Sequence, residues 1–229
     1  MLEIMFMFRR LTLLALLAAL LPGPAAASDE RAAMSALLDL LPGTFDSLAQ
    51  KEEDEAEGLT GEMVHGWVNR AFTPVYAPDI GIHVLVAAVS YNGPDGIFDK
   101  GEFQVWTLAP NADGSVTMSP RGFKDIEAFI PISRDAAALS RLTPDDLVPP
   151  KGAAGCPITW RLEDGVLKGS TDPATCVNMS STLGIPLAWE WRYEVTPDAM
   201  WITYAGRNEA GEIANGREDQ IPWRLDRVM

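Results

Sequence analysis

The sequence predicts a mainly β fold, a barrel or a sandwich of short strands that follows an N-terminal helix. Stretches rich in β-branched and aromatic residues recur along the chain, the strongest over residues 80–91, and turns of Gly, Pro, Asn and Asp separate them. Long helices do not alternate with these stretches, which argues against a parallel α/β sheet. Neither an internal repeat nor a long linker interrupts residues 28–229, so we expect one domain there.

The individual elements follow from local patterns. Apolar residues recur at helical spacing up to Leu41, and Pro42-Gly43 ends the pattern, so residues 28–41 predict an amphipathic helix that covers one barrel end. The later elements predicted in order are a strand over 44–50, an acidic turn over 51–58, an irregular strand over 63–74, a strand over 80–91, a hairpin of 102–108 with 115–119, a helical interlude over 134–147, a hairpin around Glu163-Asp164-Gly165, and strands over 188–195, 200–205 and 222–228.

Residues 1–27 predict a secretory signal peptide. Arg9 and Arg10 give it a positive start, and the apolar run 11–21 is too short to span a bilayer comfortably. Small residues precede the expected cut between Ala27 and Ser28. An uncleaved membrane anchor is the alternative. We therefore expect a periplasmic or secreted protein with no stable membrane insertion after signal cleavage.

The charge of the chain argues against a nucleic-acid partner. The 229 residues carry 18 Lys and Arg against 32 Asp and Glu, a formal net charge of −14. A surface of this sign repels nucleic acid and anionic lipid within a Debye length. The composition leaves the oligomeric state open.

Cys156 and Cys176 are the only cysteines of the chain. In an oxidising compartment they would pair and close a loop of about 20 residues, for which the chain-entropy model gives about 3 kcal/mol of stabilisation. The alternative is a metal site, which needs further soft ligands, and His65 and His83 lie far away in the sequence. We therefore expect a disulfide and no metal.

Familiar catalytic motifs are missing from the sequence. It contains no Gly-x-Ser-x-Gly, P-loop, His-Glu-x-x-His or Gly-x-Gly-x-x-Gly motif. His65 and His83 have no evident partner in the sequence. The acidic, glycine-containing segment 95–102 lacks the alternation of a calcium loop, so we expect a solvated hairpin loop there.

Seven tryptophans lie on predicted strands. They are Trp67, Trp106, Trp160, Trp189, Trp191, Trp201 and Trp223. Strand alternation places Trp189 and Trp191 on one face, with Glu190 and Arg192 on the other. Two interpretations stay open: the rings build the core, or some of them line a cup for a planar ligand. Arg192 and Arg161 either meet an anionic group of that ligand or face water beside acidic neighbours.

Three motifs, taken in their order along the chain, resemble the CpcT/CpeT family of phycobiliprotein chromophore lyases. The first is the segment from Gly43-x-Phe45 to Gln50, and the second is the hairpin that Gly155-Cys156 opens and Cys176 closes. The third is a tail with a Thr-Pro-Asp turn, a second Gly turn and a final aromatic strand. The resemblance covers residues 37–228. It implies a single antiparallel lipocalin-like (calycin-type) β-barrel of about ten strands, with a short N-terminal helix and a helical interlude. Small barrels of this kind can hold one small ligand.

The resemblance also implies an activity, because lyases of this family attach an open-chain tetrapyrrole, a bilin, to a phycobiliprotein cysteine. The strand that carries paired arginines beside a Gln in the family reads Glu102-Phe103-Gln104-Val105-Trp106 here, and the expected Asp-Arg-Gly reads Tyr204-Ala205-Gly206. A bilin has two propionates, and each lost charge-assisted contact costs about 1.5–3 kcal/mol. Phycobiliproteins assemble in the cytosol, whereas this chain has a predicted export signal.

These observations favour an exported barrel that binds a small apolar or tetrapyrrole-like ligand without catalysis. The candidate ligand-binding residues are Tyr91, Gln104, Trp106, Trp160 and Arg192. The first alternative is a bilin lyase that attaches a phycobilin to a protein cysteine, and the second is an envelope structural protein whose barrel is only a scaffold. A cofactor, if there is one, would be a bilin or another tetrapyrrole.

Overall fold

A computed structural model describes residues 24–148, 156–180 and 182–228. Most of the predicted signal peptide, residues 1–23, lies outside the described residues, so the signal stays a prediction. None of the helices in the described part is long and apolar enough to cross a membrane. The helices are α1 (Pro24–Leu40), α2 (Leu48–Ala56), α3 (Ile126–Phe129) and α4 (Ala136–Leu139), with 3-10 turns at Gly61–Met63, Ile130–Ile132 and Pro144–Asp146.

Thirteen strands make up the rest of the described secondary structure. They are β1 (Gly43–Asp46), β2 (Val68–Val75), β3 (Val84–Tyr91), β4 (Ile97–Phe98), β5 (Gln104–Pro110), β6 (Val116–Gly122), β7 (Ile158–Glu163), β8 (Val166–Ser170), β9 (Val177–Met179), β10 (Pro186–Val195), β11 (Ala199–Arg207), β12 (Ile213–Gly216) and β13 (Trp223–Val228).

Ten of these strands close into an antiparallel barrel in the order β1-β2-β3-β5-β6-β7-β8-β10-β11-β13. Strand β13 pairs with β1, with Phe45 opposite Arg227, and this pairing closes the circle. The short strands β4, β9 and β12 pair with β3, β10 and β11. The predicted lipocalin-like barrel of about ten strands is thereby confirmed.

Helix α1 covers one end of the barrel. Ala33, Leu37 and Leu41 are buried and belong to the apolar cluster inside the barrel, because their spacing puts them on one face of the helix. The helix lies beside the β5–β6 and β7–β8 turns, where Ala33 shares a surface cleft with Asp113 and Leu162. Within the described residues, α1 therefore covers this end of the interior, and a cavity opens at the opposite end of these strands.

A second apolar cluster lies outside the barrel. Side chains of β3 that point outwards, such as Val86, pack against the helical interlude around Leu139 and Leu147. Phe103 stacks on Phe123 with 4.4 Å between ring centroids. Strand β3 is thus buried on both faces, which explains why residues 80–91 give a nearly continuous apolar run and not a strict alternation.

Some predicted element bounds were wrong. The strand predicted over 44–50 ends at Asp46, because the Asp46 carboxylate accepts the Leu48 N–H at 2.8 Å and α2 begins there. The acidic turn predicted over 51–58 is therefore mostly helix, with a Lys51–Glu55 ion pair one turn apart. The irregular strand predicted from residue 63 begins only at Val68.

The packing of α1 leads to a stability prediction. Leu37 is fully buried in the interior cluster, so Leu37→Ala should lower the free energy of unfolding by about 2–5 kcal/mol through lost burial and the cavity left behind. Urea denaturation measures this change. The control Ser35→Ala, at an exposed position of the same helix, should stay within about 0.5 kcal/mol of the wild type. Equal stabilities of the Leu37 and Ser35 variants would contradict the docking of α1.

Candidate functional site

A cavity of about 200 Å³ opens at the barrel end opposite α1. A smaller cavity of about 50 Å³ adjoins it, and both are lined by Arg70, Glu102 and Trp191. We call the two together the cup. The cup is lined by Val68, Arg70, Ala87, Tyr91, Gly101, Glu102, Gln104, Trp106, Pro120, Cys156, Ile158, Thr171, Asn178, Trp189, Trp191, Tyr193, Ile202, Tyr204, Trp223 and Leu225.

Stacked aromatic rings form one wall of the cup. Trp191 on β10 stacks on Tyr204 on β11 with 4.6 Å between centroids, and Tyr204 stacks on Trp223 on β13 at 5.5 Å and 15°. Trp189 and Tyr193 extend this wall along β10, so the prediction that Trp189 and Trp191 share a face is confirmed. The wall offers a flat, apolar surface that crosses three strands.

Gly206 makes room for this wall. A Cβ at Gly206 would lie 3.0 Å from the Trp189 ring and 2.9 Å from Leu187, closer than side chains normally approach. This glycine is the part of the expected Asp-Arg-Gly motif that the sequence keeps. Its structural role here is to let Trp189 lie against β11.

Arg70 and Glu102 place one ion pair inside the cup. Arg70 is 7% exposed and faces inwards from β2, opposite Val89 of β3, and its guanidinium donates a hydrogen bond to the Glu102 carboxylate. Burial by itself would lower the pKa of Arg70, but the charge of Glu102, its hydrogen bond to Arg70 and the nearby Tyr193 and Tyr91 together outweigh burial and raise that pKa. The guanidinium therefore stays charged, and the pair as a whole is neutral.

Three tyrosines in the cup are neutral at physiological pH. Burial raises the pKa of Tyr193 far above its ordinary value, and burial together with the Glu102 charge does the same for Tyr91. The same two causes also raise the pKa of Tyr204. The Tyr91 hydroxyl donates to Asp99 at 3.0 Å. The phenols thus add no charge to the ion pair that the cup already holds.

Two buried N–H groups in the cup lack a hydrogen-bond partner within the described part of the chain. They are Nε of Arg70 and Nε1 of Trp106, whose side chains are 7% and 9% exposed as whole residues. Nε1 of Trp223, on the aromatic wall, is in the same situation. Buried polar groups are normally paired, so these donors favour a ligand that brings hydrogen-bond acceptors.

A disulfide lies at the mouth of the cup. Cys156 and Cys176 are bonded with their Cα atoms 5.0 Å apart, so the structure contains the expected pair. Cys156 lines the cavity together with Asn178, whose amide donates to the Cys156 sulfur at 3.3 Å. The disulfide ties the start of β7 to the segment before β9 and fixes this side of the mouth.

The structure brings three of the five predicted ligand-binding residues to the cup. Gln104 and Trp106 line the larger cavity, and Tyr91 lines the smaller one. Trp160 does not line either cavity; it is fully buried at a deeper level. Arg192 lies on the outer face and pairs with Glu190. The ligand contacts of all five residues remain predictions.

Trp160 lies deep because Gly169 of the neighbouring strand lets its ring approach. A Cβ at Gly169 would lie 2.7 Å from the Trp160 ring, and Tyr193 covers the ring from β10 with centroids 5.5 Å apart. Arg161, the neighbour of Trp160, points outwards to Asp113, 2.6 Å away. Trp160 therefore belongs to the core, and Arg161 lies at the surface.

Arg70 and Glu102 were missed as site residues by sequence reasoning. A signal for Arg70 exists, because Val68, Arg70 and Phe72 share one face of β2 by alternation, and a charged residue between two inward apolar ones is unusual. Glu102 has no such signal. It precedes β5, and only the pairing of β2, β3 and β5 brings it to Arg70.

His65 has a partner, so its reading as a lone histidine was wrong. Its Nδ1 lies 2.7 Å from the Asp54 carboxylate, and the same oxygen accepts the His65 backbone N–H at 2.7 Å. The His65 ring packs edge-on against Trp223 with 5.3 Å between centroids. The pair therefore supports the aromatic wall from behind and joins it to α2.

The acidic segment 95–102 forms a turn beside the cup. The Asp99 carboxylate accepts hydrogen bonds from the backbone N–H groups of Gly101 and Glu102, and this turn places Glu102 at the cup.

Within residues 24–148, 156–180 and 182–228, no group of three or more His, Cys, Asp or Glu side chains is arranged to hold a metal ion.

No protein-family model and no curated protein sequence matches this chain. Solved structures with the same fold include the CRL protein of Arabidopsis, with a TM-score of 0.60, 14% identity, and coverage of 87% of this chain and 99% of that protein. They also include the T-type phycobiliprotein lyase CpeT from Prochlorococcus phage P-HM1, with a TM-score of 0.50, 9% identity, and coverage of 85% and 97%. At these identities the similarity shows a CpeT-like barrel fold.

The Asp54–His65 pair leads to a pH prediction. Burial opposes ionisation of Asp54, but the two hydrogen bonds from His65 hold its pKa below the ordinary 3.8. A carboxyl whose pKa is lowered by folding stabilises the protein above that ordinary value and loses this contribution as the pH falls through the lowered pKa. Asp54→Asn should therefore cost about 1–3 kcal/mol at neutral pH, and the difference from wild type should shrink in acid.

Urea denaturation at several pH values measures this difference. The control Glu52→Gln removes an exposed carboxylate from the same helix and should leave the stability at neutral pH nearly unchanged. A difference between wild type and Asp54→Asn that stayed constant down to strongly acidic pH would contradict the role given to the Asp54 carboxylate.

Proposed function

We propose that this protein is a divergent member of the CpcT/CpeT family that binds a small, flat, largely apolar ligand in the cup without catalysis. The observation that carries the proposal is the stacked wall of Trp191, Tyr204 and Trp223 beside an open cavity. Aromatic walls bind planar ligands because they bury a large area and because aromatic rings favour stacked contacts with the ligand. A barrel that served only as a scaffold would have no need to leave this wall uncovered.

The size of the cup limits what can enter. Cavities that bury drug-sized ligands span about 300–1,000 Å³, while an apolar cavity of about 150 Å³ takes up benzene. The two cavities of about 200 and 50 Å³ therefore suit one ring or two fused rings. A tetrapyrrole would insert part of its length and leave the remainder at the mouth.

The ionisable groups near the cup support binding over catalysis. Glu102 forms an ion pair with Arg70. His65 is only 2% exposed and lies behind Trp223, and its Nδ1 is hydrogen-bonded to Asp54. A general base must reach the proton that it removes. Neither group is free to do so in this arrangement.

An extracytoplasmic location is also part of the proposal. It is supported by the predicted signal peptide and by the disulfide at the mouth of the cup. The periplasm or the exterior would keep this disulfide oxidised.

Tryptophan-quenching titrations of the oxidised protein with biliverdin, haem, a fatty acid and the uncharged aromatic ketone acetylnaphthalene test the binding function. We expect saturable quenching by at least one of them, because the tryptophans of the wall would contact the ligand. Calorimetry on Trp191→Leu should then show about tenfold weaker binding, the loss of one aromatic contact. The matched control Trp201→Leu changes a tryptophan between the inward-facing Met200 and Ile202, and should bind like the wild type.

The outcomes of this titration separate the candidate functions. Equal weakening in both tryptophan variants would argue against the cup as the binding site. If no ligand gave a saturable signal, the scaffold function of an envelope structural protein would replace the binding function.

A bilin lyase is the second candidate function. The fold shared with a T-type phycobiliprotein lyase and the open mouth, through which a long ligand could project, favour it. Incubation with a bilin and a cysteine-containing phycobiliprotein subunit should then give a coloured adduct that survives denaturing electrophoresis. Our binding-only proposal predicts no adduct above the level formed without the protein.

A further inference from the structure

We propose that the cup selects uncharged ligands that carry a carbonyl oxygen on a flat ring system, and that it discriminates against the corresponding carboxylates. The inference rests on the proposed binding function and specifies the ligand class for the same cup. It follows from two observations: buried N–H donors without partners, and an Arg70 whose charge Glu102 already neutralises.

The unpartnered donors require an acceptor. Arg70 Nε and Trp106 Nε1 belong to buried side chains that line the larger cavity, and neither has a hydrogen-bond partner among the described residues. Both nitrogen atoms are already shut off from water, and a purely apolar ligand would leave their hydrogen bonds unmade, which is unfavourable. A carbonyl oxygen has two lone pairs and can accept from these donors.

The ion pair disfavours a charged acceptor. Among the described residues that line the cup, Arg70 is the only cation, and Glu102 already occupies one side of its guanidinium. A ligand carboxylate would bring a second negative charge to one positive charge at a buried site, where charges are poorly screened. The net charge of −14 on the whole chain adds to this repulsion. A neutral carbonyl avoids the repulsion and still accepts hydrogen bonds.

Glu102 is therefore the specificity-determining residue. Glu102→Gln keeps the shape of the side chain and its ability to accept a hydrogen bond from Arg70, but removes the negative charge. The guanidinium charge would then be free to attract an anion. The variant should convert the cup from carbonyl-selective to carboxylate-tolerant.

Three naphthalene probes with different substituents at the same ring position test this inference. Acetylnaphthalene carries a neutral carbonyl, naphthoate carries a carboxylate, and isopropenylnaphthalene has the shape of the ketone without an acceptor. By isothermal titration calorimetry, wild-type protein should bind the ketone at least about tenfold more tightly than either of the others. Glu102→Gln should bind naphthoate at least about tenfold more tightly than wild type does, with little change for the ketone.

A matched control separates local from global charge effects. Glu194→Gln removes one negative charge from an exposed position on the outer face of β10, between the buried residues Tyr193 and Val195. It should leave the order of the three probes as in the wild type. Circular dichroism and thermal unfolding verify that both variants are folded.

The possible results decide between the inference and the function on which it rests. Naphthoate binding to wild type as tightly as the ketone, or no gain of naphthoate affinity in Glu102→Gln, overturns the inference and leaves the binding function standing. Equal binding of the ketone and the hydrocarbon also overturns it, because the donors would then be irrelevant. Absence of binding by all three probes overturns both.

Discussion

The rest of the structure depends on the pairing of β13 with β1, which closes the barrel. Without this seam β1 and β13 would be open sheet edges, and there would be no enclosed interior to hold a ligand. Arg227 of β13 reinforces the seam: its guanidinium donates to the carbonyl groups of Leu40 and Pro42 at the end of α1, and to Pro197 between β10 and β11 at 2.7 Å. One side chain thus holds the covering helix, the seam and the β10–β11 turn together.

The closed interior has two layers, a packed one under α1 and one beside the cavities at the other end. Aliphatic residues and Trp160 fill the end under α1, whereas the wall of Trp191, Tyr204 and Trp223 borders empty space at the other end. The Arg70–Glu102 pair lies beside this wall. A buried ion pair is costly to desolvate, so stability alone does not explain its position at the cavity, and our proposal gives it a part in ligand recognition.

The strongest local patterns correctly predicted much of the β structure. Residues 80–91 contain β3, and 102–119 form the β5–β6 hairpin, because strand propensity and a clear Asn-Ala-Asp-Gly turn agree there. Strands β4, β9 and β12 escaped prediction because two to four residues are too few to show an alternation. Helix α2 was read as a turn because its charged residues show no apolar face.

The sequence by itself determined the mainly β class of fold and the common face of Trp189 and Trp191, since strand propensity and alternation are local properties. It made a Cys156–Cys176 disulfide the expectation, and the structure brings the two cysteines within bonding distance. Only the tertiary structure decided which side chains meet in the cup. Arg70 and Glu102 are 32 residues apart and come together through the register of three strands. The register also turns Arg192 outwards, because a residue's face follows from strand pairing across the whole barrel, and local sequence does not encode that pairing.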